Sequence, residues 1–265
     1  MVKNTSQIAD NADPANESGI WIYDIETYPN HFLAVFKRLQ EDKQGDVKIY
    51  NDNELDELRE FVSKDGLTLV GYNNFKFDDV IIKSILDGKV NNASEIHHLA
   101  DHIINGDESN DSNLRALTYN GRKHWNYRTS PWHCVDLFQV LGGQRIAGSL
   151  KSHEVRLGML DVRDLPFEPG TKLTPTQIKE LLAYCQHDVK ATESLFYDVQ
   201  ELVEVRIKVN DRFPYLNGVV DGVKPRLYAA AMKCRNGTAA SLRNVLLKFL
   251  DAKTGYRHQS QVRTG

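Results

Sequence analysis

The chain has 265 residues, 41% of them hydrophobic and 26% charged, the proportions of a soluble globular protein with room for one large domain or a domain and an appendage. No run approaches the roughly 20 apolar residues of a membrane span, no signal peptide is visible, and three scattered cysteines (Cys134, Cys185, Cys234) without metal-ligand spacing read as reduced thiols, so the chain is expected in the cytoplasm. The formal net charge of -3 hides an asymmetry: residues 1–205 carry 21 Lys and Arg against 33 Asp and Glu, whereas residues 206–265 carry 12 against 3. A basic end on an acidic body suits nucleic acid or an acidic partner, and it equally suits a solvated pair of basic helices.

In chain order, residues 1–18 are polar and expected to be a disordered lead. Ile20–Asp24 reads as a first strand and His31–Leu39 as a second, joined by a turn at Tyr28-Pro29-Asn30; Val47–Tyr50 follows as a third. Leu55, Leu58, Phe61 and Val62 recur at helical spacing behind an Asp/Asn cap. The run 67–72 (LTLVGY) suits a strand inside a sheet, and DDVIIKSILDG suits a helix closed by Gly88. Strands followed by α and β in alternation predict an α/β sheet with helices packed on it.

The polar stretch 105–113 reads as a surface loop, Pro131–Asp136 as a strand and Ser149–Leu157 as a helix. The best-marked helix starts at Thr174, where Thr174, Pro175 and Gln177 form a capping-box pattern with proline at the first position. Ile178, Leu181, Leu182, Cys185, Val189 and Phe196 give it a broad apolar face that runs to about residue 205. Two short amphipathic helices are expected in the basic end, 206–265.

Carboxylates stand out against this background. Asp24 and Glu26 share one face of a strand because side chains alternate along it. They are either a strand end running into solvent or half of a metal site, since a divalent cation turns their repulsion into attraction. Asp78 lies four residues after Asn74 at a strand-to-helix junction, with Phe75 and Phe77 interleaved. One of Asp78 and Asp79 is explained equally well as a helix cap. Tyr184 and Asp188 are four apart on one helical face, and Asp188 interrupts a helix that otherwise turns apolar residues inward.

Other signals are weaker. His98 and His102 have i, i+4 spacing but lack a third ligand, which favours a plain surface helix. Arg122, Lys123 and Arg128 interleave with Trp125, Tyr127 and Trp132, either to guide a single strand or as a hairpin with core aromatics. Asp136 is placed to support a site from behind or to cap a helix, and Gly142-Gly143 is a turn without a phosphate-loop pattern.

Asp-x-Glu on the first strand, Asn-x-x-x-Asp after a later strand and Tyr-x-x-x-Asp on a late helix together resemble the three motifs of the DEDD exonucleases in their DEDDy branch. The histidine variant needs His five residues before the last Asp, where this chain has Ala183. The stretches DIETYPNHFLAVFK, GYNNFKFD, SLK and LPFEP are similar to the exonuclease domain of phage family B DNA polymerases, from about Ile20 to about Val205. The resemblance implies an RNase H-like mixed central sheet flanked by helices over 19–205, with 206–265 as a basic helical extension. It implies that Asp24, Glu26, Asp78 and Asp188 hold two Mg²⁺ or Mn²⁺ ions, that Tyr184 orients the attacking water, and that Thr27, Asn74 and Phe77 contact the 3′ end. The implied activity is 3′–5′ removal of nucleoside monophosphates from single-stranded DNA, with proofreading beside a polymerase held through 206–265 as one setting. RNA as the substrate, or a silent module that binds nucleic acid or a polymerase, are the alternatives. No polymerase palm motif follows in 206–265.

Overall fold

Large apolar side chains alternate through GIWIYDIETY, and in the computed structural model, which describes residues 19–40, 45–105, 130–142 and 147–204, this run forms strand β1 (Gly19–Tyr28). It pairs antiparallel with β2 (His31–Arg38), which pairs antiparallel with β3 (Val47–Asn51). On its other edge β1 pairs parallel with β4 (Leu67–Gly71), and β4 pairs parallel with β5 (His133–Asp136). The result is a five-stranded mixed sheet in the order β3-β2-β1-β4-β5, flanked by helices.

Alternation along β1 divides the core in two. Trp21, Tyr23 and Ile25 pack with Phe32, Ala34 and Phe36 of β2 against α1 (Leu55–Val62), α2 (Asp78–Leu86) and α3 (Ala93–Asn105). Here Tyr23 stacks on Phe36 with centroids 5.4 Å apart, and Trp21 meets Phe61 edge-on at 5.0 Å. Ile22 and Tyr28 face the other way with Leu33, Val35, Val70 and Val135, onto Leu181, Cys185, Val189, Leu195 and Phe196. Those last residues belong to the long helix α6 (Pro175–Asp198). Each large side chain buried this way contributes roughly 1.5–3 kcal/mol relative to exposure.

Between β5 and α6 lie two short helices, α4 (Leu137–Val140) and α5 (Leu150–Arg156). Both α5 and α6 start on capping boxes: Thr174 with Gln177, as the sequence pattern predicts, and Ser149 with Ser152, which the structure adds. The segment before α6 is tied to the β1–β2 turn: Tyr28 Oη donates to the Phe167 carbonyl at 2.9 Å, and Asn30 bonds both main-chain groups of Leu173. Lys37 on β2 meets Glu193 on α6 at 2.6 Å. These links hold α6 across the face of β1.

Several boundaries differ from expectation for physical reasons. β1 continues to Tyr28, four residues past Asp24, because β2 pairs with it along its whole length, from Trp21↔Arg38 to Tyr28↔His31. Helix α1 has Glu54 at its cap without a side-chain bond, so the expected Asp/Asn cap is absent. Neither Asp78 nor Asp79 caps α2, whose cap position is Phe77; both lie in its first turn, where acidic side chains suit the helix dipole. Helix α6 ends at Asp198, earlier than about 205, with Val199 as its cap and a short helical stretch beyond. His98 is exposed on α3 whereas His102 is buried. The lead 1–18, most of the 105–113 loop, Arg122 to Arg128, Gly143, Cys234 and the extension 206–265 lie outside the described residues. Among the described residues no helix is long and apolar enough to cross a membrane.

Candidate metal centre

The parallel pairing of β1 with β4 ends at Ile22↔Val70, while its pairing with β2 goes on. Beyond Ile22, therefore, one edge of β1 has main-chain amides to offer at the carboxyl end of β4, the usual place for a crevice in such sheets. For Asp78, the Ile25 amide, between Asp24 and Glu26, is among the groups that hold its carboxyl down. Gly71 ends β4 as it must, because a Cβ there would lie 2.7 Å from Cβ of Asn74 in the turn that follows.

Asp24 and Glu26 point to the α6 side of β1, as alternation requires, and meet Asp188. One carboxylate oxygen of each of the three lies within 4.8 Å of the others. Asp188 is carried by α6 one turn after Tyr184, whose hydroxyl is the chief influence holding its carboxyl down. Cys185 is wholly buried beneath them, with Sγ 3.5 Å from Asp24 Oδ2 and 3.6 Å from the Asp24 carbonyl. Strand β1 and helix α6 thus bring three acids to one point, and Asp78 of α2 lies outside that trio but near enough for its charge to act on Asp24 and Glu26.

The electrostatics follow from that crowding. Burial, then the charges of Glu26, Asp188 and Asp78, holds the Asp24 carboxyl well above the usual range, and the Cys185 thiol opposes this. Glu26 is pushed up to about 8 by burial and by Asp188 and Asp78. Asp78 reaches about 8 through burial and the neighbouring Asp79. Asp188 sits at about 6, raised by burial and held back chiefly by the Tyr184 hydroxyl. Carboxylates in this arrangement cannot all ionise unaided, and a divalent cation among them adds attractions that outweigh their mutual repulsion. The donor set is all oxygen, the kind that Mg²⁺ and Mn²⁺ prefer, so the residues present fit such an ion.

Asp79 has a different task from Asp78. It is fully buried on the α1–α3 side, where Tyr23 Oη donates to Oδ1 at 2.7 Å, Asn74 Nδ2 to Oδ2 at 3.0 Å, and Cys134 Sγ also to Oδ2. Consecutive acids are thereby split: Asp78 lends its charge to the trio, and Asp79 anchors the start of α2 to β1 and β5. Asn74 is 1% exposed, with its amide given to Tyr23 and Asp79, while its Oδ1 is buried without a hydrogen bond among the described residues. Phe77 is half-buried against the same core, and Thr27, also half-buried, lies by alternation on the strand face opposite Glu26. The three residues expected at the 3′ end thus gather on the α1–α3 side of β1.

Asp136 caps α4, its Oδ1 accepting from Phe138 N, and the same oxygen accepts from Asn73 N in the turn ahead of Asp78. Trp132 is a core residue. Three groups escaped the sequence reading, namely Cys185 under Asp24, the Tyr23–Cys134 support of Asp79, and Glu154 beside His187. Compared with protein-family models, with curated proteins and with solved structures, the chain gives no match.

Proposed function

We propose that the chain is a metal-dependent 3′–5′ exonuclease of the DEDDy type, with an RNase H-like arrangement of its sheet, acting on single-stranded DNA ends. The observation that carries this reading is the convergence of Asp24, Glu26 and Asp188 within 4.8 Å, with Tyr184 one helical turn before Asp188 and the charge of Asp78 acting on Asp24 and Glu26. Strand order and the carboxyl-end position of the cluster are consistent with the reading.

In this reading Asp24, Glu26, Asp78 and Asp188 hold the Mg²⁺ or Mn²⁺. When bound, the ions acidify the attacking water and neutralise charge on the phosphodiester oxygens. The protein supplies position. Tyr184, whose hydroxyl burial and Asp188 keep protonated far above neutrality, is a permanent hydrogen-bond donor on the rim of the trio. It orients a water held against Asp188 without itself acting as a base. Cys185 and the β1 main chain fix Asp24, and Asp79 fixes the helix that carries Asp78. The basic segment 206–265 is the part suited to nucleic acid or a replication partner by its charge.

The test uses 3′- and 5′-end-labelled DNA and RNA oligonucleotides, with Mg²⁺ or with EDTA. The expected result is stepwise shortening from the 3′ end only with metal, faster on DNA, and lowered at least about a thousandfold in Asp24→Ala and Asp188→Ala. Internal cuts, or full activity in either variant, overturn the assignment. Equal or faster loss of RNA overturns the choice of DNA alone.

A further inference from the structure

Behind Asp188, helices α5 and α6 bring together donors of another kind. Glu154 on α5 is 1% exposed and His187 on α6 is 8% exposed, with Nε2 of the ring 3.1 Å from Glu154 Oε2. Asp188 follows His187 on α6, and one ligand atom from each of Glu154, His187 and Asp188 lies within 4.8 Å of the other two. A carboxylate as deep as Glu154 is costly without a cation beside it.

The far side of the ring carries the second observation. His187 Nδ1 faces Asp161 Oδ2 at 3.9 Å, and Arg163 Nε donates to that same oxygen at 2.9 Å. At that distance the Asp161 carboxylate attracts the ring without a direct hydrogen bond; an outer carboxylate on the far side is the usual companion of a metal-bound imidazole, and Nε2, which now donates to Glu154, gives up its proton to solvent when an ion takes its place. Arg163 holds that carboxylate in place. Two oxygens and one imidazole nitrogen, with an outer carboxylate on the ring, form the donor set of zinc and its neighbours, whereas Mg²⁺ takes oxygen almost exclusively.

We propose that Glu154, His187 and Asp188 form a binding site for a divalent transition-metal ion of the zinc class, joined through Asp188 to the all-oxygen group of Asp24 and Glu26. Glu154 Oε2 and His187 Nε2, now bonded to each other, open to admit the ion. Because one carboxylate serves both groups, an ion held by Glu154 and His187 draws Asp188 away from Asp24 and Glu26, so occupancy here weakens Mg²⁺ there. By linkage, Mg²⁺ weakens zinc by the same factor. The site stands on its own donors and does not require the nuclease reading, which fails or holds in the oligonucleotide assay alone.

Equilibrium dialysis of the full chain against Zn²⁺ in excess Mg²⁺ tests it. One equivalent of zinc is expected to remain on the parent and on Asp24→Ala, and His187→Gln and Glu154→Gln are each expected to weaken it by about tenfold or more. Zinc X-ray absorption on the unaltered parent, which does not depend on any variant folding, is expected to show an imidazole ligand. Absence of retained zinc, absence of imidazole in its coordination, or wild-type retention in folded His187→Gln overturns the proposal and leaves Glu154 and His187 as a buried structural pair. Loss of the retained zinc in Asp24→Ala overturns it too, since the ion would then belong to the other group.

Discussion

Tyr23 Oη donates to Asp79 Oδ1 at 2.7 Å, joining the residue just before Asp24 to the residue just after Asp78. One buried hydrogen bond on the α1–α3 side of the sheet therefore ties together the two segments that carry these carboxylates. Tyr23→Phe keeps the ring stack on Phe36 and removes the donor, leaving Asp79 with Asn74 and Cys134. Loss of a hydrogen bond to a buried acid is expected to cost about 1.5–3 kcal/mol, read as a lower urea midpoint. Because Asp78 then shifts against Ile25, metal affinity is expected to fall along with stability. A Tyr23→Phe protein as stable as the parent would show that Asp79 does not depend on this donor.

Crowding of the trio makes a second prediction with a definite sign. The Glu26 carboxyl is held at about 8 against an ordinary 4.5, by burial first and then by Asp188 and Asp78. The folded chain thus binds this proton more tightly than the unfolded chain does. The stability the group contributes is whole below about 4.5 and is lost as pH climbs towards about 8. Glu26→Gln removes the cost. In EDTA the variant is expected to be more stable than the parent near pH 8, by about 1 kcal/mol, with the difference closing towards acid pH. Added Mg²⁺ reverses the order, since it stabilises the parent and has lost a ligand in the variant. Urea titrations at the two ends of the pH range, with and without Mg²⁺, give all four values.

How far these relationships could be read in advance depended on sequence distance. Tyr184 and Asp188 are one helical turn apart, and the capping box at Thr174 sets the register of their helix, so their shared face was legible. Asp24 and Glu26 were legible through alternation, but the end of β1 was not. Two charges after an apolar run look like a strand running into water, and it is the pairing with β2 that carries the strand on to Tyr28. The support of Asp79 was out of reach, because Tyr23 and Cys134 lie 56 and 55 residues away from it in opposite directions. Glu154 and His187, 33 residues apart, were hidden in the same way. Local periodicity shows which face a residue occupies, and only the packed sheet shows what it meets there.

Tyr184 offers a prediction that separates electrostatics from water positioning. Its hydroxyl is the largest influence holding the Asp188 carboxyl down, to about 6. In Tyr184→Phe that restraint is gone, the Asp188 proton is kept to higher pH, and the ionised ligand is scarcer at neutrality. Mg²⁺ affinity by calorimetry is expected to fall several-fold at neutral pH and to recover by about pH 8, while the acidic limb of any rate profile moves upward. A loss of rate with unchanged metal affinity at both pH values would instead assign Tyr184 wholly to the water.

Asn74 decides between two roles that its position allows. The resemblance assigns it to the 3′ end of a bound strand, yet its side chain is 1% exposed and its amide is shared between Tyr23 Oη at 3.3 Å and Asp79 Oδ2 at 3.0 Å. A group so enclosed does its work in the free protein. Asn74→Ala is therefore expected to cost about 1–3 kcal/mol of stability, because Asp79 loses a buried donor. It is expected to leave the KM for oligonucleotides near that of the parent, with any loss falling on kcat as Asp78 moves. Asn74→Asp is expected to be worse than Ala, since it sets a second carboxylate against Asp79 at the same depth. A tenfold rise in KM with unchanged unfolding free energy in Asn74→Ala would reverse this, and would mean that the strand end reaches past Phe77 to the buried Oδ1.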